Sequence, residues 1–185
     1  MRCLRTRCVL PPARPRLICY SFSPALGVKT PARSDVQRPS TAKPCGTIDI
    51  ASNLDSSTAL PAAADGSVTM NVENFNAGAD GSTSVSVSVD ATGKGTAFTA
   101  ATVQTNGNPN PTKVETDKVV FTLPAGTKCT GGTAGNLCLV SVKTTAGFGA
   151  CTVVSQGAAA AGAAPAAKVK AGTRAARALR RELGA

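Results

Sequence analysis

Residues 119–156 have the sequence VVFTLPAGTKCTGGTAGNLCLVSVKTTAGFGACTVVSQ. Three short runs of mainly β-branched residues alternate here with glycine-rich turns, which is typical of successive strands in a sheet. Cys129, Cys138 and Cys151 fall at the turns and at the strand starts. Cysteines in these places indicate a small β domain held by disulfides, and disulfides persist in oxidising compartments.

Alternation of apolar and polar residues continues upstream of this stretch. It is clearest in 83–90, where Val85, Val87 and Val89 alternate with serines, so that one face of the strand is buried and the other is wet. Strands are predicted at 46–51, 67–75, 83–90, 96–105, 119–123, 137–143 and 151–156. About seven short strands separated by turn signals predict an all-β fold, a small antiparallel β-sandwich.

Charge divides the chain into three parts. Residues 1–44 are rich in Arg and Pro, carry nine Lys or Arg against one acid, and are predicted to be disordered. Residues 45–157, the predicted β domain, carry five Lys against eight acids. Residues 158–185 are predicted to form an Ala/Gly linker followed by a short basic helix over 171–183. The formal charge of +10 therefore comes from the two ends.

Three interpretations of residues 1–44 compete. A degenerate signal peptide would use the apolar stretch 17–28 and the small residues at 25–27, but a proline at position 24 interrupts it. An organellar transit peptide fits the Arg-rich, acid-poor composition, although the prolines disfavour an amphipathic helix. A mis-predicted first exon in place of a normal signal sequence is favoured. No run approaches the 18 or so apolar residues of a transmembrane helix.

Missing residue types exclude many kinds of site. The chain has no histidine, which excludes Ser-His-Asp and Cys-His catalysis and every zinc site that contains histidine. It has no tryptophan, and Tyr20 is its one tyrosine, so the aromatic platforms that stack on sugars or single-stranded nucleic acid are scarce. We therefore expect a non-enzymatic protein with no metal, no cofactor and no nucleic-acid partner.

The predicted domain contains four cysteines: Cys45, Cys129, Cys138 and Cys151. Four cysteines allow three disulfide connectivities. The Gly-rich loop between Cys129 and Cys138 can bring these two within bridging range, and Cys45 would then pair with Cys151. A four-thiolate zinc site is disfavoured because no two of the cysteines have the CxxC spacing.

Carboxylates provide the remaining catalytic candidates. Glu115 and Asp117 share one face if the chain is extended there, and Asp49 and Asp55 lie in a polar stretch. A pair of carboxylates can catalyse glycoside hydrolysis. Acids in the turns of a β domain are more often simply solvated, so no catalytic residue is assigned.

Two Gly-rich loops are the candidate binding loops. The first spans 76–82 and contains Asn76 and Asp80. The second spans 130–136 and contains Gly131, Gly132 and Asn136. The second lacks the Lys-Ser/Thr ending and the following helix of a phosphate-binding loop, so a nucleotide is not expected there.

The block LPAGTKCTGGTAGNLCLVSVKTTAGFGACTVVSQ (123–156) resembles fungal secreted proteins first known from infection structures, the appressorium-associated penetration proteins. NFNAGADGS (74–82) and AGTRAARALRREL (171–183) are also similar to that family. The resemblance implies an extracellular fungal protein linked to host penetration or surface remodelling. It carries over no catalytic residue, because the family's activity is not established.

The sequence thus predicts a secreted, non-enzymatic protein of the fungal surface or host interface. Its expected partner is a cell-wall polysaccharide or a host surface component. The alternative is a polysaccharide-binding or polysaccharide-active cell-wall protein. A weaker hypothesis makes the two basic ends anchors for nucleic acid or anionic membranes.

Overall fold

Two sheets account for the strands in the part of the chain that the computed structural model describes, residues 20–28 and 32–157. The strands are β1 (Tyr20–Ser23), β2 (Ala59–Pro61), β3 (Ser67–Asn74), β4 (Val85–Asp90), β5 (Thr99–Ala100), β6 (Thr102–Thr105), β7 (Thr116–Thr122), β8 (Leu137–Thr144) and β9 (Gly149–Ser155). One sheet has the order β1-β3-β7-β6 and the other β2-β9-β8-β4-β5. The predicted all-β fold is confirmed.

Antiparallel pairing links all of these neighbours except β2 and β9, which run parallel. A hydrophobic core fills the space between the sheets. Its side chains come from alternate positions of each strand, as the period of a strand requires. The main contributors are Val68, Met70, Val72, Val85, Val87, Val89, Val119, Phe121, Val140, Val142 and Val154.

A second apolar cluster lies on the outer face of β8 and β9. It contains Leu26, Cys45, Leu54, Leu139, Cys151 and Val153. Every residue of β9 is therefore buried, and β8 is buried on both faces over residues 138–142. Strands buried on both faces have nearly continuous apolar sequences, which is how 137–142 and 150–154 differ from the alternating serines of β4.

The folded part of the chain begins before the boundary predicted at residue 45. β1 pairs with residues 71–74 at the edge of β3, an edge that would otherwise be left unpaired. The backbone N–H of Leu26 donates to the carbonyl of Cys151 at 2.7 Å, and Leu26 is 2% exposed. The predictions for residues 1–19, and those of a linker and basic helix over 158–185, lie outside the described residues.

Residues 32–48 form a strap across the outer face of β9. Gln37 and Gly149 exchange two backbone hydrogen bonds of 3.0 Å each, and the strap ends in the disulfide of Cys45 with Cys151. A Cβ atom at position 149 would lie 2.0 Å from the carbonyl oxygen of Val142 and 2.9 Å from Pro39 Cγ. Only glycine therefore fits at this position, between the backbone of β8 and Pro39 of the strap.

The strand predicted at 46–51 is wrong. Asp49 instead caps the short helix α1 (Ile50–Asn53), since its carboxylate accepts from the backbone N–H of Ser52 at 3.3 Å. The Asn53 side chain donates back to the Asp49 carbonyl at 2.7 Å. These local hydrogen bonds turn the chain despite its alternating pattern.

The predicted strand 96–105 is divided between the two sheets. β5 pairs with β4 in one sheet, whereas β6 pairs with β7 in the other. The chain crosses from one sheet to the other at Ala101, whose N–H donates to the carbonyl of Val87 at 2.9 Å. This crossing closes one side of the sandwich.

Both disulfides occur in the pairing that the sequence favoured. Cys45 is joined to Cys151 across 106 residues, and Cys129 to Cys138 across 9. The first pair lies in the outer apolar cluster and the second in the core between the sheets. Each apolar region of the fold is therefore crosslinked.

Asp90, at the end of β4, is fully buried and organises the loop that follows. Its carboxylate accepts from Thr92 N at 2.8 Å, Thr92 Oγ1 at 2.7 Å, Thr96 N at 2.9 Å and Ala97 N at 3.4 Å. Burial alone would raise the pKa of Asp90, but these hydrogen bonds outweigh it and hold the pKa below its ordinary value.

Removing the disulfides one at a time tests their contributions. In the chain-entropy model, closing the long loop stabilises the fold by about 5 kcal/mol and closing the short one by about 3 kcal/mol. We expect C45A/C151A to lower the free energy of unfolding in urea more than C129A/C138A does. An equal loss, or a larger one for the short loop, would contradict this order.

Asp90→Asn tests the role of that carboxylate. The amide nitrogen would face the N–H of Thr92 or, in the other orientation, the N–H groups of Thr96 and Ala97, so we expect the free energy of unfolding in urea at pH 7 to fall by about 1–3 kcal/mol.

Asp90 also predicts a pH dependence. Because its pKa is depressed in the folded state, its stabilisation is present above the unfolded value of about 4 and is lost as pH falls through the lower folded value. The wild type should therefore lose stability below pH 4 more steeply than D90N, as measured by urea unfolding at several pH values. Asp80→Asn, at an exposed acid, is the control, and identical slopes for D90N and the wild type would refute the assignment.

Candidate functional site

An open groove lies on the outer face of the five-stranded sheet. Its floor is made by Ser86 and Ser88 of β4 with Ser141 and Lys143 of β8. Ser86 is the cross-strand partner of Lys143 and Ser88 that of Ser141, while Ala100 of β5 lies on the other side of Ser88. The valines between the β4 serines point into the core, so the serines necessarily face outward.

The groove has two dissimilar walls and a volume of about 400 Å³. On the β8 side the wall is the strap, through Pro39, Ser40, Thr41 and Pro44. On the β5 side it is Phe98, which is partly buried against the outer apolar cluster. The volume lies within the range of about 300–1,000 Å³ typical of small-molecule sites.

Hydrogen-bonding capacity remains open on the floor. Ser141 Oγ donates to the carbonyl of Pro44 at 2.8 Å, and Ser86 Oγ donates to the carbonyl of Lys143 at 3.2 Å. Both hydroxyls therefore keep acceptor lone pairs. Within residues 20–28 and 32–157, neither the Ser88 hydroxyl nor the Lys143 ammonium has a hydrogen-bond or ion-pair partner.

Charge in the groove has one sign. Among the described residues that line it, Lys143 is the only charged one, and no carboxylate is present. The groove thus combines small hydroxyl side chains, one ammonium group and an apolar ring. This arrangement can hydrogen-bond a polar ligand, but it offers no acid or base pair for bond cleavage.

The first predicted binding loop, 76–82, is tied to neighbouring residues through Asn76, whose Nδ2 atom is itself buried without a hydrogen-bond partner among the described residues. Asn76 Oδ1 accepts from Arg33 at 2.6 Å, and its backbone carbonyl accepts from the Asn74 side chain at 2.6 Å. Asp80 is exposed in a 3₁₀ turn, Ala79–Gly81. The buried Asn74 also accepts from the N–H of Glu115 at 2.6 Å, so it ties this loop to the start of β7.

The second predicted loop, 130–136, is also tied into the fold. Gly131 exchanges backbone hydrogen bonds of 2.8 and 3.0 Å with Leu137, and the carbonyl of Asn136 accepts from Gln156 at 2.9 Å. Gly132 borders, with Asp55, a second cavity at this end of the sandwich.

The two loops do not form one site. The first lies where β4 begins and the second lies where β4 ends and β8 begins. Six extended residues separate these two ends by about 17 Å. Recognition through both loops together would therefore need a ligand that spans the sandwich.

The four candidate acids are likewise distributed between the two ends. Hydrogen bonds from Ser52 to its carboxylate lower the pKa of Asp49 below its ordinary value. Asp55 accepts from Thr133 N at 2.7 Å and Thr133 Oγ1 at 2.9 Å.

At the opposite end, Glu115 and Asp117 both accept from Asn108, from its side chain and its backbone respectively, at 3.0 Å each. Asp117 also accepts a short hydrogen bond from the Thr83 hydroxyl. Asp49 thus caps α1, each of the other three carboxylates holds a loop by hydrogen bonds, and the structure does not bring all four together.

A search of the described ranges for three or more metal-ligating side chains finds no such group. In the same ranges, no helix has the length and apolarity needed to cross a membrane.

Sequence reasoning did not identify the groove residues as a site. The alternation in 83–90 did indicate that Ser86 and Ser88 face solvent. It contained no information on the register that places Ser88 beside Ser141, or on the strap that builds a wall beside them.

The chain matches a known protein family. A family model described as Egh16-like virulence factor matches residues 23–151, well over half of the chain. The match begins at the last residue of β1 and ends within β9, so it includes most of both sheets and all the residues that line the groove. No curated protein and no solved structure matches the chain.

Proposed function

This chain belongs to the Egh16-like virulence factor family, and on that premise we propose that it is a secreted, non-enzymatic binding protein of the fungal surface or host interface. Membership confirms the resemblance to a fungal infection-associated family and makes the chain a virulence-associated fungal protein. Secretion, the absence of catalysis and the site of action are the parts that we add to it.

The two buried disulfides are the observation that carries this proposal. The four cysteines are between 0 and 6% exposed, and each of the two apolar clusters contains one pair. Reducing agents of the cytosol keep such thiols unpaired, whereas the secretory pathway oxidises them. A fold crosslinked in both of its cores is therefore suited to an extracellular setting.

Arrangement of the carboxylates supports a binding role. Asp55 is bonded to Thr133, and Glu115 and Asp117 are bonded to Asn108 at the far end of the sandwich. Glycoside hydrolysis needs one carboxyl group free to donate a proton and a second as nucleophile or base across a cleft. The groove on the five-stranded sheet has no carboxylate among its described lining residues.

Secretion is tested on the native protein. We expect it in the culture filtrate, where a non-reducing peptide map should show the linked pairs Cys45–Cys151 and Cys129–Cys138. The reduced and alkylated sample is the control, since both linked peptides must disappear from it. Native protein found only in cell extracts, with these four thiols free, would refute secretion.

Catalysis is tested on insoluble chitin, β-1,3-glucan and cellulose. We expect no soluble oligosaccharide from any of them, either from the wild type or from the variants Asp55→Asn and Glu115→Gln. Products are measured by mass spectrometry of the supernatant. Products released by the wild type and lost in one of these variants would show that the protein is an enzyme.

A further inference from the structure

We infer that the groove on the outer face of β4, β5 and β8 binds a segment of an uncharged polysaccharide chain. The inference rests on the proposed function and deepens it, because it assigns the binding role to a defined site. It places recognition on a sheet face and away from the Gly-rich loops.

The floor matches the spacing of sugar hydroxyls. Ser88 and Ser141 are directly paired across neighbouring strands, so their side chains start about 5 Å apart. That separation is similar to the distance between hydroxyl groups on opposite sides of one pyranose ring. Ala100 extends the same row across a third strand and leaves it shallow.

The unused hydrogen-bond donors and acceptors of the floor match those of a sugar. Ser88 Oγ can donate one hydrogen bond and accept two, because no residue of the described part bonds to it. Ser86 is exposed, already donates to a backbone carbonyl and so presents acceptors, whereas Ser141 donates to the strap and is only 7% exposed. Sugar hydroxyls both donate and accept, and they can therefore satisfy both kinds of group.

The wall formed by Phe98 suits the apolar face of a sugar ring. Phe98 and Ala100 are two residues apart on one extended segment, so they lie on the same side of the sheet. Phe98 is partly buried, which leaves part of its ring open to the groove. An aromatic ring beside hydroxyl groups is the combination that holds a ligand with one apolar and one polar side.

Charge in the groove favours an uncharged chain. A cationic polymer such as chitosan would face the Lys143 ammonium with no carboxylate on any lining residue to balance it. One exposed lysine is too little to hold a polyanion against salt, since exposed ion pairs are worth about 0–1 kcal/mol. Hydrogen bonds and ring contacts therefore carry the recognition.

The groove is held rigidly. Its floor belongs to strands paired on both sides, and its strap wall is fixed by the disulfide of Cys45 with Cys151 and by the pairing of Gln37 with Gly149. A preformed site binds without an ordering cost, which matters for a ligand that makes few contacts.

Binding assays with defined probes test the site. The full disulfide-bonded protein is incubated with chitin, β-1,3-glucan, cellulose, chitosan and polygalacturonate. For each neutral polymer that retains the protein, the soluble hexasaccharide is then titrated into the protein by calorimetry. We expect retention on at least one neutral polymer, little effect of 0.5 M salt, and weaker retention on chitosan.

Variants locate the site on the protein. Ser88→Val and Phe98→Ala should each weaken hexasaccharide binding by about tenfold, the effect of about 1.4 kcal/mol. The matched controls are Thr69→Val and Lys118→Ala, at exposed positions on the outer face of the other sheet, and both should bind like the wild type.

Each alternative outcome is decisive. No retention on any neutral polymer overturns the groove assignment, and so does retention on polygalacturonate alone that disappears at 0.5 M salt. Equal losses in S88V and T69V overturn it as well. Lys143→Glu tests the groove in a way that does not depend on whether F98A folds. It should strengthen chitosan retention and leave the disulfide map unchanged. These results leave secretion untouched, whereas an intracellular, reduced protein would refute the proposed function first.

Discussion

Burial of β8 and β9 on both faces is the constraint on which the rest of the structure depends. The sandwich covers their inner face, but their outer face carries Leu139, Cys151 and Val153 and needs a second covering. Leu26, the strap and α1 provide it. The disulfide of Cys45 with Cys151 fixes that layer to β9, so the outer cluster and the strap wall of the groove form together.

The groove begins where this outer layer ends. Along the outer face of β8 the residues change from Leu137 and Leu139 to Ser141 and Lys143. The apolar half is covered, Ser141 is 7% exposed beside the strap, and Lys143 stays open beside the serines of β4. The change from apolar to polar residues along this one face of β8 thus sets the boundary of the candidate site.

The sequence predicted the elements whose pattern is local and missed those set by distant contacts. Val85, Val87 and Val89 determine the buried face of β4 by their spacing alone. Alternation failed at 46–51, where the Asp49 side chain caps a helix, and at Ala101, where one extended segment leaves one sheet for the other. The pairing of Ser88 with Ser141 depends on register, which no local pattern contains.

The loops that the sequence singled out are fixed from within, and this determines where a ligand can bind. At one end the buried Asn74 side chain bonds the carbonyl of Asn76 and the N–H of Glu115. At the other end Gly131 and Asn136 form backbone hydrogen bonds with Leu137 and Gln156. Loops organised in this way have few polar groups left for a partner. Unused hydrogen-bonding capacity is instead found on the sheet face, at Ser88 and Lys143. A rigid, hydroxyl-lined sheet face therefore makes the better recognition surface, because binding there breaks no hydrogen bond that holds the fold.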